Sequence, residues 1–460
     1  MKYFSTKNFR VNSLLFRRGV RGEASWMKYF FAVTILFLSA INYAGAQTVL
    51  SLEEAIATAM KNNYDILISK SESDIATNNL FIGNAGMLPS LSLDGGYTQS
   101  IGNTHLEYAS GDVTDRNNAS AHNLNAGANL SWTLFDGMKM FVTYQQLQLL
   151  KAKGETDLKN TLQQTVLKVT DAYYNVVLQQ QLLRVYQFSD SISDWRMSLA
   201  QKKWDVGSGS KLDFLQAKVD HNADRSAVMQ QQVVLQNAKV DLNNLLARDI
   251  TTDFKTIDSI TAVSTLTLEQ IQTQTFEQNP ELTVAEQSRR ISDLTIQQLQ
   301  GGYYPTVSLN GSYGYNNATT QAGFLLNNKT SGPSFGLSAS WNLFNGNRQS
   351  HIVQDAKINS LISNYQYAQV KSKLTAQVQQ AYYTYQNNLK LLLLEEENTN
   401  DAKENLAIAV DRYKLGSSNA LDFKNAQQSF IAQQTRLFNA RYNAKISEIE
   451  LLSLSGGIVK

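Results

Sequence analysis

The sequence contains no cysteine. Disulfide staples, thiol nucleophiles and zinc–thiolate centres are therefore excluded, and so is an anchor acylated on an N-terminal cysteine. Proline is nearly as scarce, with four in 460 residues and none between Pro89 and Pro280. A span of that length without a helix breaker, rich in Gln, Leu, Ala and Lys, invites very long helices. Charge is almost balanced at a formal +2, so no broad basic field for nucleic acid exists. The four histidines, His105, His122, His221 and His351, are scattered without metal-ligand spacing and stand beside no nucleophile or paired acids. That pattern argues against an enzyme and calls for no metal or cofactor. After Gln47 no uninterrupted apolar run is long enough for a membrane helix, so any insertion into a bilayer has to use strands.

One apolar run stands near the start. Residues 27–46 combine a positive Lys28, an apolar stretch from Tyr29 to about Ile41, and small residues at Ala44 and Ala46. They read as a secretory signal cleaved before Gln47, because the run is shorter than the roughly 18 residues of a spanning helix. Residues 1–26 then read as an upstream extension, a mis-assigned start.

What the chain does contain, it contains twice. "SWTLFDG" at 131–137 returns as "SWNLFNG" at 340–346, "DAYYNVVLQQ" at 171–180 answers "QAYYTYQNNL" at 380–389, and "KWDVGSGSKLDF" at 203–214 answers "RYKLGSSNALDF" at 412–423, all 209 residues apart. Upstream, "LSLEEA" at 50–55 answers "LTLEQI" at 266–271, and "LPSLSLDGGY" at 88–97 answers "YPTVSLNGSY" at 304–313, here 216 apart. A collinear series of this kind marks a tandem duplication, with repeats at 47–250 and 266–457 and a polar, β-branched linker at 251–265.

Each repeat holds two kinds of segment. Apolar and small polar residues alternate with period two over about 90–101 and 123–135, and again over about 306–316 and 334–344, which predicts four strands of about ten residues. Tilted strands of that length span a bilayer. A soluble sheet packed on helices is the alternative. Trp132 and Phe135, with Trp341 and Phe344, sit where strand gives way to helix and favour the membrane, as an interfacial aromatic belt. The Asn-, Thr- and Gly-rich loops 102–121 and 318–331 are expected to face the exterior.

The rest is helical. From about Met138 to Asp205 the positions Leu162, Val166, Val169, Tyr173, Val176 and Leu183 follow a 3-4 alternation, with Gln180 at one slot, and Val378, Tyr382, Tyr385, Leu389 and Leu392 echo it. Such a helix reaches about 100 Å. Turns at 207–210 and 416–419 end the two long helices. The return to the next strand is available in two pieces, 211–247 and 268–301, whose summed length of about 106 Å matches the descent. The final helix, 420–455, is expected to pair in the same way with the first, 52–86, and the linker to form a collar midway. Four strands cannot close a barrel, and open edges in lipid leave backbone groups unpaired. The barrel must therefore be shared, with eight strands in a dimer or twelve in a trimer.

The duplicated strand and helix order, the paired W-x-L-F-[DN]-G phrases and the paired [WY]-x-[VL]-G-S phrases leading to L-D-F resemble the TolC-type outer membrane efflux family over about 47–457. That resemblance implies a mainly α protein with a membrane β-barrel: a homotrimer whose twelve-stranded barrel, four strands per chain, continues into a long periplasmic α-helical barrel. It implies an outer membrane exit duct of a tripartite efflux or type I secretion system, partnered by a periplasmic adaptor and an inner membrane transporter, with no enzymatic activity. Tyr413 and Asp422 match residues that form the closed aperture, and Asp213 matches one of the links that hold it shut. The tip residues Gly207, Ser208, Gly209, Gly416, Ser417 and Ser418 would dock the adaptor. Asn425 and Ser418 stand where the family has a second aspartate and a linking arginine, which thins the acidic ring; Arg412 is the nearest substitute cation. The spacings "SKLD" at 210–213 and "NALD" at 419–422 equally fit helix caps, which would give both aspartates a purely structural role. A structural or adhesive periplasmic coiled coil is the rival reading, and it leaves the four strands unexplained.

Overall fold

The computed structural model describes residues 49–257, 259–260 and 265–458. The expected signal and upstream extension lie outside these, as does part of the linker. The chain divides into two compact units. Of the described residues, Val49 and 253–255 fall in one, and the other holds every element named below.

The second unit opens with α1 (Leu52–Asn62), whose N-terminus is closed by a reciprocal capping box between Ser51 and Glu54. Helix α2 (Tyr64–Asn79) follows after a single residue, Asn63. Then come β1 (Ser90–Glu107), β2 (Val113–Phe135), and the 67-residue α3 (Lys139–Asp205). The chain turns into α4 (Lys211–Leu245), passes through the linker to α5 (Leu268–Gln278) and α6 (Pro280–Gln300), and forms β3 (Thr306–Thr320) and β4 (Asn327–Ser340). It ends with the 67-residue α7 (Arg348–Lys414) and α8 (Ala420–Leu454).

The four strands make one antiparallel sheet in the order β1-β2-β3-β4. Each row places like residues together: Leu91 faces Leu130, which faces Gly311, which faces Phe335. Apolar rows run from Trp132, Leu309 and Leu337 up to Tyr97 and Leu124, while the alternate rows are Ser, Asn, Gly and Thr together with Asp94. Ten residues of tilted strand cover roughly 25 Å, the height of the apolar band of a membrane barrel.

The strands exceed the ten residues expected, and most of 102–121 and 318–331 is strand rather than loop. Ladder bonds do not require apolar side chains, and cross-strand polar pairs hold the extension: Tyr97 stacks on His122 and hydrogen-bonds its Nδ1 at 2.7 Å, and His105 pairs with Asp115 directly opposite.

Where helix follows strand, Gly137 (φ +74°) and Gly346 (φ +66°) make the corner, and Asp136 and Asn345 accept from the backbone N–H groups of Met140 and Gln349. In the long helices Val166, Val169, Tyr173 and Val176 are buried, as are Val378 and Tyr385, whereas Leu162, Leu183, Leu389 and Leu392 are only half-buried. Glycine within α3 has a packing reason: a Cβ at Gly154 would lie 3.2 Å from the Cβ of Ala76 on α2. The corresponding pair of the second repeat, Ser292 and Ser363, touches through its hydroxyls at 2.7 Å.

Two expectations about the helices need correction. The predicted helix 52–86 is two helices, broken at Asn63 and finished by Asn79, and 268–301 is likewise broken at Asn279. The end-to-end pairing is also exchanged. Asn63 Nδ2 donates to the Leu245 carbonyl at 2.8 Å, so α2 continues the line of α4; Asn279 Nδ2 donates to the Leu454 carbonyl at 2.9 Å, so α6 continues the line of α8. Each asparagine also accepts two N–H groups of the helix it starts. One side chain thus serves the open end of one helix and the start of another, and that satisfaction of orphan groups selects the partner. Length matching alone does not distinguish the two pairings.

Candidate functional site

The two helical hairpins end in near-identical turns. Helix α3 stops at Gly207 (φ +75°), where the Ser208 N–H reaches back to the Lys203 carbonyl at 2.8 Å; α7 stops at Gly416 (φ +73°), where the Ser417 N–H reaches the Arg412 carbonyl at 2.9 Å. These are glycine-terminated helix ends of the Schellman type. The next helices begin at once, with Ser210 Oγ accepting the Asp213 N–H at 3.0 Å and Asn419 Oδ1 accepting the Asp422 N–H at 2.8 Å. Gly209 is required by space, because a Cβ there would sit 2.8 Å from the Lys203 Cβ and 3.2 Å from its backbone.

Aromatic pairs brace both turns. Trp204 stacks on Phe214 with centroids 5.6 Å apart, and Tyr413 packs on Phe423 at 5.2 Å. Lys203 Nζ lies 5.3 Å over the Tyr413 ring, which sets the two tips side by side. Tyr413 is buried among Trp195, Phe423 and Lys203 within its own chain, whereas Asp213 and Asp422 are exposed. Their backbones serve the caps and leave the carboxylates outward, apart from a 3.2 Å hydrogen bond from Ser418 Oγ to Asp422. Arg412 is turned into its own loop, with Nη2 3.4 Å from the Ser417 carbonyl.

Above the tips lies a polar layer that the sequence reading missed. Arg196 of α3 pairs with Asp220 of α4 at 2.9 Å, and Lys424 of α8 takes the other oxygen of the same carboxylate at 2.8 Å. Next to them Gln427 of α8 donates to Ser189 Oγ, Ser193 Oγ and Asp224 at 2.9–3.1 Å. His221 completes the layer, 3.4 Å from Asp190 and 4.0 Å from Asp194. This network ties α8 to α3 and α4. No repeated motif announces it.

At the other end Trp132 is part of β2 and Trp341 follows β4 directly. Each indole N–H is satisfied alike, Trp132 by the Met87 carbonyl and Trp341 by the Tyr303 carbonyl, both at 3.0 Å. Phe135 is half-buried and Phe344 is exposed. Rings that are apolar in body and bonded at the tip suit an interfacial position. Among the described residues no helix is long and apolar enough to cross a membrane, and no cluster of His, Asp or Glu could hold a metal ion.

The sequence pattern of the family described as outer membrane efflux protein matches residues 55–248 and again residues 272–457. The chain belongs to the outer membrane efflux protein family. Among its relatives is the outer membrane protein TolC of Escherichia coli (strain K12), 23% identical over 440 residues, which cover 92% of this chain and 85% of that one. The outer membrane efflux protein BepC of Brucella suis is 21% identical, with 88% and 85% covered. In fold the chain is similar to a membrane protein from Pseudomonas aeruginosa, with a TM-score of 0.74, 17% identity, and 89% and 91% covered. It is also similar to the Campylobacter jejuni CmeC outer membrane channel, with a TM-score of 0.73, 17% identity, and 88% and 85% covered. Members of this family are channels rather than enzymes, and the chain is an outer membrane exit duct for efflux or secretion.

Proposed function

We propose that three copies of the chain share one twelve-stranded barrel in the outer membrane, continuous with a helical tunnel in the periplasm that receives cargo from an adaptor and an inner membrane transporter. The observation that carries this reading is the open sheet: β1 and β4, of 18 and 14 residues, are both edge strands on an apolar face. In lipid each unpaired backbone group costs several kcal/mol, so the edges must meet another copy. Eight strands leave an interior that side chains fill, and a duct needs more. Twelve is the next count that four per chain allows. The helices make the same demand, since α7 exposes Leu391, Leu393, Leu394 and Ile408, and α4 exposes Val219 and Val233.

At the far end the turns at 207–209 and 416–418 would meet the adaptor. Asp213 and Asp422, with Tyr413 packed behind them, would border the aperture. Particle imaging of protein extracted from outer membranes tests the assembly: a threefold particle is expected, and a monomer or twofold particle overturns it. Asp422→Ala keeps the Asn419 cap, so in planar bilayers it should raise single-channel conductance or change its response to divalent cations. An unchanged record from an intact assembly would remove Asp422 from the aperture.

A further inference from the structure

The two hairpins obey one register. Ser90 faces Ser131 in the first, and Thr306 faces Ser340 in the second. These are equivalent positions, 216 and 209 residues apart. Tyr97 facing Leu124 is matched in the same way by Tyr313 facing Pro333. The sheet is therefore one hairpin written twice, and the β2–β3 pairing is the joint between the two. In a shared barrel, a reading on which this inference rests, the edge of β4 meets the edge of β1 from another copy at a joint of the same kind.

We propose that β4 pairs antiparallel with β1 of a neighbouring copy in the register that β2 uses with β3. In the chain Ser131 faces Asn310, Leu130 faces Gly311, Ala128 faces Tyr313 and Leu124 faces Asn317. Carried to the equivalent positions, Ser340 faces Asp94, Ala339 faces Gly95, Leu337 faces Tyr97 and Pro333 faces Ile101 of the neighbour.

Three further observations agree. First, the register keeps Phe335, Leu337 and Ala339 on the same face as Leu93, Tyr97 and Ile101, whereas a slip of one residue would turn one apolar row into the lumen. Second, it leaves no rung of β4 over: all 14 residues lie opposite strand, and Asn327 at the start of β4 meets Glu107 at the end of β1. Pro333, which lacks an N–H, falls beside Gly102, where β1 already breaks register against β2. Third, the polar face is complementary. Ser131 Oγ donates to Asn310 Oδ1 at 3.3 Å, Asn310 Nδ2 donates to Ser338 Oγ at 3.0 Å, and Asn129 bonds Asp94. At the joint Ser340 takes the place of Ser131 and the Asp94 carboxylate takes that of Asn310, a stronger acceptor for the same hydroxyl. A girdle of hydrogen bonds then closes around the lumen.

Directly opposed residues have Cα atoms about 4.5–5.5 Å apart, within disulfide reach, and the natural chain supplies no competing thiol. The test oxidises the double variant Asp94→Cys/Ser340→Cys in outer membranes and reads boiled, non-reducing gels. Pairs displaced by two residues, Ser92→Cys/Ser340→Cys and Gly96→Cys/Ser340→Cys, run beside it, and Ser131→Cys/Asn310→Cys reports the equivalent joint within the chain. The expected result is a covalent three-chain species from the 94/340 pair, formed at least tenfold faster than from either displaced pair. Faster bridging by a displaced pair overturns the register and leaves the shared barrel standing. Absence of any intermolecular bridge, in protein whose 131/310 pair oxidises, overturns the shared barrel itself. A ladder that stops at two chains upholds the register and overturns the strand count.

Discussion

Replacing Asp220 with alanine should loosen the lower end of the chain more than any exposed charge change there. The Arg196 side chain is 4% exposed and the Asp220 side chain 16%, and they meet at 2.9 Å; Lys424, on the second oxygen, is 34% exposed. Removing one member of a buried pair strands the other charge, at a cost of about 3–5 kcal/mol. The low end applies here, because the Arg196 guanidinium keeps the face of Phe423 at 5.8 Å and Asp220 is not fully enclosed. At about 1.4 kcal/mol per decade, a loss of about 3 kcal/mol speeds local opening by roughly 10²-fold. Hydrogen exchange read by mass spectrometry should show this in peptides covering 193–205 and 420–428, with 165–178 as an unaffected internal reference. Lys424→Ala should cost no more than about 1 kcal/mol, since water screens that partner. The double variant Arg196→Met/Asp220→Leu should recover most of the loss, because neither charge is left alone. If Asp220→Ala exchanges no faster than Lys424→Ala, or the double variant is as loose as the single one, the buried pair is not what fastens α8 to α3 and α4.

Asn63→Ala and Asn279→Ala each remove a cap from one helix and a donor from the end of another; each should cost about 1–2 kcal/mol and lower the melting temperature of the protein. Gly209→Ala, which forces a Cβ against Lys203, should destabilise the first tip by about 1–3 kcal/mol, and limited proteolysis should cut it near residue 209 first. Tyr442 donates to Asp171 at 2.5 Å, and burial together with that carboxylate pushes its pKa up. A folded-state value above the unfolded one of about 10 leaves stability unaffected below that pH and erodes it above. Melting temperatures between about pH 9 and 11.5 should therefore fall less steeply for Tyr442→Phe than for the parent chain.

What could be read from the sequence is what it states twice. The glycine turns at 207 and 416, the strand alternation, and the limits of α3 and α7 all come with a second copy, and local chemistry suffices to form them. The two asparagine breaks are also duplicated, in "KNNYD" and "EQNPE", yet they are not legible there, because asparagine inside a helical pattern carries little signal until the carbonyl it serves is in place. For the same reason helix lengths balance under either end-to-end pairing and do not select the right one. Only the hydrogen bonds from Asn63 to Leu245 and from Asn279 to Leu454 separate them.

The layer above the tips shows why other features stay hidden. Position 195 is tryptophan in the first repeat and its counterpart 404 is glutamate; Arg196 answers to Asn405, and Asp220 to Ser429. Within the chain α3 and α8 meet, and there Trp195 packs on Tyr413 and Phe423 while Arg196 is buried; Glu404 and Asn405 on α7 are exposed. In the proposed shared assembly, a duplicated chain would have two kinds of helix contact, one inside the chain and one between chains. At positions 195, 196 and 220 the repeats differ where those two environments would differ. The layer's partners come from three separate helices, α3, α4 and α8, and no spacing along the sequence encodes which of them meet.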